Sequence, residues 1–415
     1  MAELDVPTRD GPPKALSVKR QYISFADWSM TEYLSATLSV LSAQVRYGSQ
    51  GSRLRARLGD LYAPSSVYTL NYAHTGLALA LVAFQQRRHG KTEVLIPAYI
   101  CPSVVKTVIA CGLDPVPVDI GDDLNLTPAT LAAALSERTL AVVAPHMFGC
   151  PLPIQEIETL CRDAGVFLID DAAQVVGIQA QGRPLGSFGD VGLISFAQSK
   201  TIVTGMHGSG GVLLVNEASF DAELQKVCRE LPAPYGRISA LSDFLWNHLW
   251  SAYTGSSGDR FERFAKWLGW RPFNHAQQYA QISNLEAGVA IEQLVRLEQI
   301  IATRLRVAHN YHLALQGQTE IDFPQYESGR YLTRVMLLLP EYTDVAACRA
   351  YLQKHGVETR LGYQMSFPAQ AATHKADALS KRLLGVPCGP AIGAADAEQI
   401  CQILRQAIHT SKQKS

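Results

Sequence analysis

Residues 166–200 read VFLIDDAAQVVGIQAQGRPLGSFGDVGLISFAQSK, and two runs within them decide the fold. VFLID (166–170) and VGLISF (191–196) are short and apolar throughout, as strands buried on both faces of a sheet must be. Working outward, the same pattern recurs at VLIP (94–97), PVPVD (115–119) and LAVVAP (140–145), and again at VLLVN (212–216). Helix signals lie between several of these runs. Thr127 stands as an N-cap before Pro128 and LAAAL, and IQEIETLCRDA follows Pro153 and stops at Gly165. Strands alternating with helices predict an open α/β layer built on a parallel sheet.

Beyond this core the character changes. Trp246, Trp250, Trp267 and Trp270 fall within residues 230–275, which read as an insertion. Leu241, Phe244, Leu245 and Leu249 there share one helix-compatible face. That face reads either as packing against the domain or a dimer seam, or as a substrate-pocket wall or docking surface. Residues 285–315 give one long helical pattern. A smaller α/β domain follows, with VMLLLP (335–340) as a strand, a helix from Asp344 to His355 and a closing helix after Ala395. The first twenty residues, with Pro7, Pro12 and Pro13 and no apolar core, read as a loose arm rather than a signal peptide. The predicted division is therefore 1–20, 21–229, 230–275 and 276–415.

Composition excludes several classes. At roughly 100–200 residues per domain, 415 residues make two to three domains, ample for a large core. Lys+Arg and Asp+Glu are 37 each, so the chain lacks the cationic surplus of a general nucleic-acid binder. The eight cysteines form no CxxC pair and no regular spacing, which suggests neither a zinc site nor a disulfide framework but reduced cytosolic thiols. No apolar stretch reaches membrane-spanning length, the longest lying around Leu77–Phe84. The expected location is the cytoplasm.

Four features fall along the predicted sheet in an order that suits one cofactor, pyridoxal phosphate. Asp170-Asp171-Ala172-Ala173-Gln174 ends a strand, where open α/β sheets bind ligands. A carboxylate there can keep a pyridine nitrogen protonated; alone, it reads rather as the cap of a turn. Lys200 lies just past VGLISF, five residues after Ser195. An amine with a lowered pKa forms a Schiff base with an aldehyde, although an isolated lysine there reads as a solvated surface residue. Thr75-Gly76 opens the helix LALALVAF after VYTLNYA, and a helix N-terminus offers N–H groups to a phosphate or simply carries a Thr cap. Ser195 could supply the same phosphate with a hydroxyl. Finally, Gly205, Gly208, Gly210 and Gly211 imply a close backbone approach or a tight turn. They are no dinucleotide fingerprint, because a strand rather than a helix follows.

Taken with these features, EVLIPAYICPSVVKTVIACGLDPVPVDI (93–120), PHMFGCP (145–151), FLIDDAAQVVG (167–177), GRPLGSFGDVGLISFAQSKTIVTG (182–205) and SNLEAGVAIEQLVRLEQI (283–300) resemble the DegT/StrS-type nucleotide-sugar aminotransferases. These are pyridoxal-phosphate enzymes of fold type I. The resemblance implies a large cofactor-binding domain with a mostly parallel sheet, a smaller C-terminal domain, and a homodimer whose sites are completed by the neighbour. It implies that Lys200 is catalytic, binding the cofactor and carrying protons, and that Asp171 pairs with the pyridine nitrogen. Gln174 would lie near the ring hydroxyl or the substrate, and Ser195, Thr75 and Gly76 would hold the phosphate. The implied reaction moves an amino group from an amino acid, glutamate foremost, to a keto group on a nucleotide-linked deoxysugar.

The chain also departs from that family. Cys101 stands where an aromatic ring usually stacks on the cofactor, leaving Tyr99 as a substitute. Tyr279-Ala280-Gln281 replaces an Asn and Arg that usually reach the partner's phosphate. Gly362-Tyr363 replaces a His-Tyr pair, and Arg360 is a candidate for binding an anionic group. His74 enters the phosphate cup, as a packed neutral histidine or a ligand contact. The related sugar dehydratases carry histidine in place of the lysine, so Lys200 points away from them. Other readings are the same cofactor acting on a non-sugar substrate or with another carbanion outcome, a non-catalytic regulatory protein, and a nicotinamide oxidoreductase, which the misplaced glycines disfavour.

Overall fold

The computed structural model describes residue 21 and residues 27–197, 200–204, 210–232, 279–317, 320–324, 332–368 and 371–412. The N-terminal arm, Gly205 and Gly208, and the tryptophan-rich stretch from 233 to 275 lie outside the described residues.

Two helices come first, α1 (Met30–Leu41) and α2 (Gln50–Tyr62). Strands and helices then alternate as β1 (Ser66–Leu70), α3 (Ala73–Arg87), β2 (Glu93–Pro97), α4 (Pro102–Ala110), β3 (Asp114–Val118), α5 (Pro128–Ala134), β4 (Thr139–Pro145), α6 (Ile154–Asp163) and β5 (Phe167–Asp171). A short hairpin of β6 (Gln179–Ala180) and β7 (Arg183–Pro184) precedes β8 (Val191–Ser195), β9 (Gly211–Val215) and α7 (Asp221–Glu230). Thr127 caps α5 by accepting from the Thr130 N–H, with Pro128 in the first turn.

Seven strands form one sheet in the order β1-β9-β8-β5-β4-β2-β3. All seven residues of β4 are buried, as a central strand covered on both faces requires. From β8 to β3 the pairing is parallel. The run VLLVN, expected to join that parallel set, instead runs antiparallel to both β8 and β1. No helix occurs among the described residues between β8 and β9, and a parallel return would need a crossover. The sheet also gains an edge strand at β1, earlier than the patterning from residue 94 onward predicted.

The pattern at 285–315 is broken into α8 (Asn284–Val295) and α9 (Leu297–Leu315) at Arg296, whose φ of −98° and ψ of 12° leave the helix. The cause is tertiary. Arg296 is clasped by the Glu32 carboxylate and donates to the Asp27 carbonyl at 2.8 Å. Apolar periodicity does not register such a clasp. Glu32 is wholly buried; burial alone would raise its pKa, but hydrogen bonds from Ser29 and Arg296 hold it below the ordinary 4.5. A carboxyl whose folded pKa is lowered stabilises most above its unfolded value. That contribution is therefore full above 4.5 and is lost as pH falls through the folded value. Glu32→Ala is expected to cost about 3 kcal/mol at pH 7, shrinking in acid, as urea denaturation at several pH values will measure.

A second unit follows α9: β10 (Val335–Leu338), α10 (Val345–Lys354), β11 (Arg360–Leu361), α11 (His374–Ser380), β12 (Leu383–Val386) and α12 (Ala394–Thr410). Its sheet is antiparallel, ordered β10-β12-β11, with its own core against α9, α10 and α12. Among the described residues no helix is long and apolar enough to cross a membrane.

Candidate active site

The carboxyl ends of β2, β5 and β8 open on one cavity, together with the N-terminal end of α3. β5 ends in two aspartates, and strand alternation sends them opposite ways. Asp170 is fully buried and accepts from the N–H groups of Gly186 and Phe188 and from His146 Nε2 at 2.8 Å. His146 Nδ1 accepts from the Leu152 N–H at 3.2 Å, so the ring proton sits on Nε2 and points at Asp170. Asp171 lines the cavity, with Oδ1 accepting from the Ala173 N–H at 3.1 Å.

Lys200 and Ser195 line the same cavity, as do Cys101, Ala73 and His74. Burial pushes the Lys200 amine below the usual lysine range; Asp171 and Cys101 oppose this, and Arg334 adds to it. Burial likewise pushes the Asp171 carboxyl up, while Lys200 draws it down. A lysine that loses its proton readily is a nucleophile toward aldehydes.

The other sequence-predicted residues are placed differently. α3 starts at Ala73, so Thr75 lies inside the first turn rather than opening it, and its hydroxyl donates to Asn71 Oδ1 at 2.9 Å. Gly76 turns to the sheet, where a Cβ would press on Leu193 and Leu213 at 3.1 Å. Of this segment, Ala73 and His74 reach the cavity, His74 stacking on Tyr72 at 4.7 Å. Gly211 lets β9 pass directly under this turn, since a Cβ there would collide with the Tyr72 carbonyl carbon and the Ala73 nitrogen. Gln174 does not line the cavity; its Oε1 accepts from the Thr333 hydroxyl at 3.3 Å. Residues 279–281 are tied within the chain: Asn71 and Ala280 exchange hydrogen bonds, and Gln281 bridges to Leu70.

Tyr99, offered as a stacking ring, is wholly buried and does not line the cavity, and its hydroxyl accepts from the Tyr363 N–H at 3.0 Å. Its ring packs with Phe148 and Tyr363, which stack on each other at 5.4 Å. This arrangement accounts for Gly362, because a Cβ there would collide with the Tyr99 hydroxyl. Gly362→Ala is expected to cost about 1–3 kcal/mol, largely recovered in a Tyr99→Phe background. Chemical denaturation of both variants checks this.

Sequence reasoning missed Arg334, which enters from the second unit and whose charge acts on Lys200 and Tyr363. The available signal was a cation opening an otherwise apolar strand. It also missed the His146–Asp170 pair, which depends on contacts between β4 and β5.

These residues fit pyridoxal phosphate. The cavity offers a desolvated amine for an aldehyde, a carboxylate for a ring nitrogen, and a buried hydroxyl beside a helix start for a phosphate. A lysine and a carboxylate facing one cavity at the strand ends of a mainly parallel sheet define an α/β enzyme that works through this cofactor. The chain belongs to the DegT/DnrJ/EryC1/StrS aminotransferase family, which residues 30–405 match. It is a pyridoxal-phosphate-dependent aminotransferase. It is 26% identical over 373 residues to the UDP-N-acetyl-3-dehydro-alpha-D-glucosamine 3-aminotransferase of Acidithiobacillus ferrooxidans, covering 87% of this chain and 89% of that one. The GDP-perosamine synthase of Vibrio cholerae is 25% identical over 325 residues, 75% of this chain and 79% of that one. In fold, the chain superposes on the Helicobacter pylori aminotransferase PseC with a TM-score of 0.77 at 15% identity, covering 94% of this chain and all of that one.

Proposed function

We propose that this enzyme transfers the amino group of L-glutamate to a keto group on a nucleotide-linked deoxysugar, as a cytoplasmic homodimer. The observation that carries the reading is the joint presence of Lys200 and Asp171 in one cavity, in a chain similar along most of its length to enzymes named for aminating nucleotide-linked sugars. When bound, pyridoxal phosphate supplies an aldehyde for the amines and a protonated ring that draws off the electron pair left at carbon. Asp171 keeps that ring nitrogen protonated. Lys200 Nζ, whose proton burial makes easier to lose, would take up the α-proton of the donor and hold it for return. Ser195 and the first turn of α3 anchor the phosphate, and the Tyr99–Phe148–Tyr363 cluster keeps water out from the small-domain side.

A dimer is supported by the stripe Met30, Leu34, Leu38 and Leu41 along α1, each more than half exposed in the single chain. A monomer in sedimentation velocity at micromolar protein would remove that part of the proposal. The cytoplasmic placement accords with eight cysteines of which none is in a disulfide.

The experiment is an absorption spectrum of the protein with pyridoxal phosphate, before and after L-glutamate, followed by keto-sugar nucleotides as acceptors. A visible band bleached by glutamate and restored by a keto-sugar nucleotide supports the proposal. A band that glutamate leaves unchanged overturns the donor assignment, and restoration by simple keto acids alone overturns the sugar.

A further inference from the structure

The N-cap residue of α3, Tyr72, makes no side-chain cap, and among the described residues the Ala73 N–H meets no acceptor. A helix start in that state attracts an anion through its dipole and its orphan donors. Thr75 cannot add to it, because its hydroxyl is given to Asn71 Oδ1, which also accepts from the Ala280 N–H, and its side chain does not line the cavity. The side chain that this turn does present to the cavity is His74, which is half-buried.

Charge decides what His74 can do there. A phosphate monoester carries about −1.5 to −2 near neutrality. Among the described residues that line the cavity, Lys200 and His74 alone can carry a positive charge. Lys200 is committed to the aldehyde of the cofactor, so His74 is the cation left for the phosphate. Its ring lies nearly parallel to that of buried Tyr72, at an interplanar angle of 14° and 4.7 Å between centroids. The stack fixes the plane of the imidazole, and an aromatic face set against it favours its cationic form. Ser195, 6% exposed, accepts from the Ala197 N–H at 3.4 Å and keeps its own proton for a further acceptor, but it brings no charge.

We infer that His74 binds the phosphate of the cofactor as an imidazolium, supplying the positive charge that Ser195 and the backbone of the first turn of α3 lack. This rests on the fit of pyridoxal phosphate described above. The probe is pyridoxine 5′-phosphate, which keeps the ring and the phosphate but has no aldehyde for Lys200, and unphosphorylated pyridoxine is its control. Both are titrated by calorimetry into the full chain freed of cofactor, as wild type and as His74→Gln. The variant is expected to bind the phosphate probe about 10–100-fold more weakly near pH 6.5, with pyridoxine affinity unchanged. As pH rises from about 6.5 to 8.5, where an imidazolium gives up its proton, wild-type affinity for the phosphate probe should fall towards that of the variant. Lys200, Asp171 and Cys101 also face the cavity, so the slope is read as the difference between the two proteins, which removes the titration they share. Equal affinity of both proteins for the phosphate probe overturns the inference, as does an equal loss for pyridoxine, which would set His74 against the ring instead. Should His74→Gln fail to fold, the wild type still decides it, since a ratio of phosphate-probe to pyridoxine affinity that does not fall over that pH range overturns it. A wild type that binds neither pyridoxal phosphate nor the probe defeats the cofactor reading itself; normal wild-type binding with an unaffected variant defeats only the role of His74.

Discussion

Replacing Lys200 with Ala is expected to lower aminotransfer by at least ~10⁴-fold while leaving the fold intact. The amine is the one lysine lining the cavity among the described residues, and its desolvation favours the neutral base. Removing it deletes both the covalent anchor and the proton carrier. Stability should hold, because burying an amine is a cost that the Asp171 charge only partly offsets. Single-turnover amination with saturating glutamate is the measurement, alongside thermal denaturation. If the variant turns over at even a tenth of the wild-type rate, Lys200 is not the proton carrier and the chemistry must be assigned elsewhere. The same variant separates an enzyme from a regulatory protein of this fold, since a binding role would survive loss of the amine.

Asp171→Asn should cost roughly 10²–10³-fold in turnover. The substitution keeps the size of the side chain and an oxygen able to accept from the Ala173 N–H, so the local turn is preserved. What disappears is the negative charge that would hold a proton on a ring nitrogen in a cavity screened from water. Asp170→Asn is the control, because Asp170 serves the His146, Gly186 and Phe188 contacts and not the cavity. Its loss should appear as lowered stability, with urea midpoints shifting before turnover does. Were the two variants to exchange these phenotypes, the assignment of Asp171 to the cavity would be wrong.

Much of this was legible in the chain itself. Strands at β2, β4, β5 and β8 announce themselves because a sheet covered on both faces demands uninterrupted apolar runs, and Thr127-Pro128 marks a helix start through local capping chemistry. Lys200, Asp171 and Ser195 were also identifiable, since each ends or follows a strand whose end is set by the same local pattern, Cys101 came from the family resemblance, and the structure brings all four to one cavity. Thr75 and Gly76 were placed by proximity to a helix start, but the helix starts two residues before Thr75, at Ala73, and Ala73 and His74 face the cavity instead.

The chain alone therefore determined the α/β layer, the strand ends and the positions of Asp171 and Lys200 at them, because these follow from hydrophobic periodicity and local turn chemistry. Tertiary structure decided the rest. The antiparallel turn of β9, the break at Arg296 and the burial of Tyr99 against Gly362 each depend on partners far away in sequence. So does the placement of Arg334, whose neighbour Thr333 docks on the Phe148 carbonyl. Contacts of that kind leave no periodic trace, since neither residue's local environment requires the other until the chain has closed.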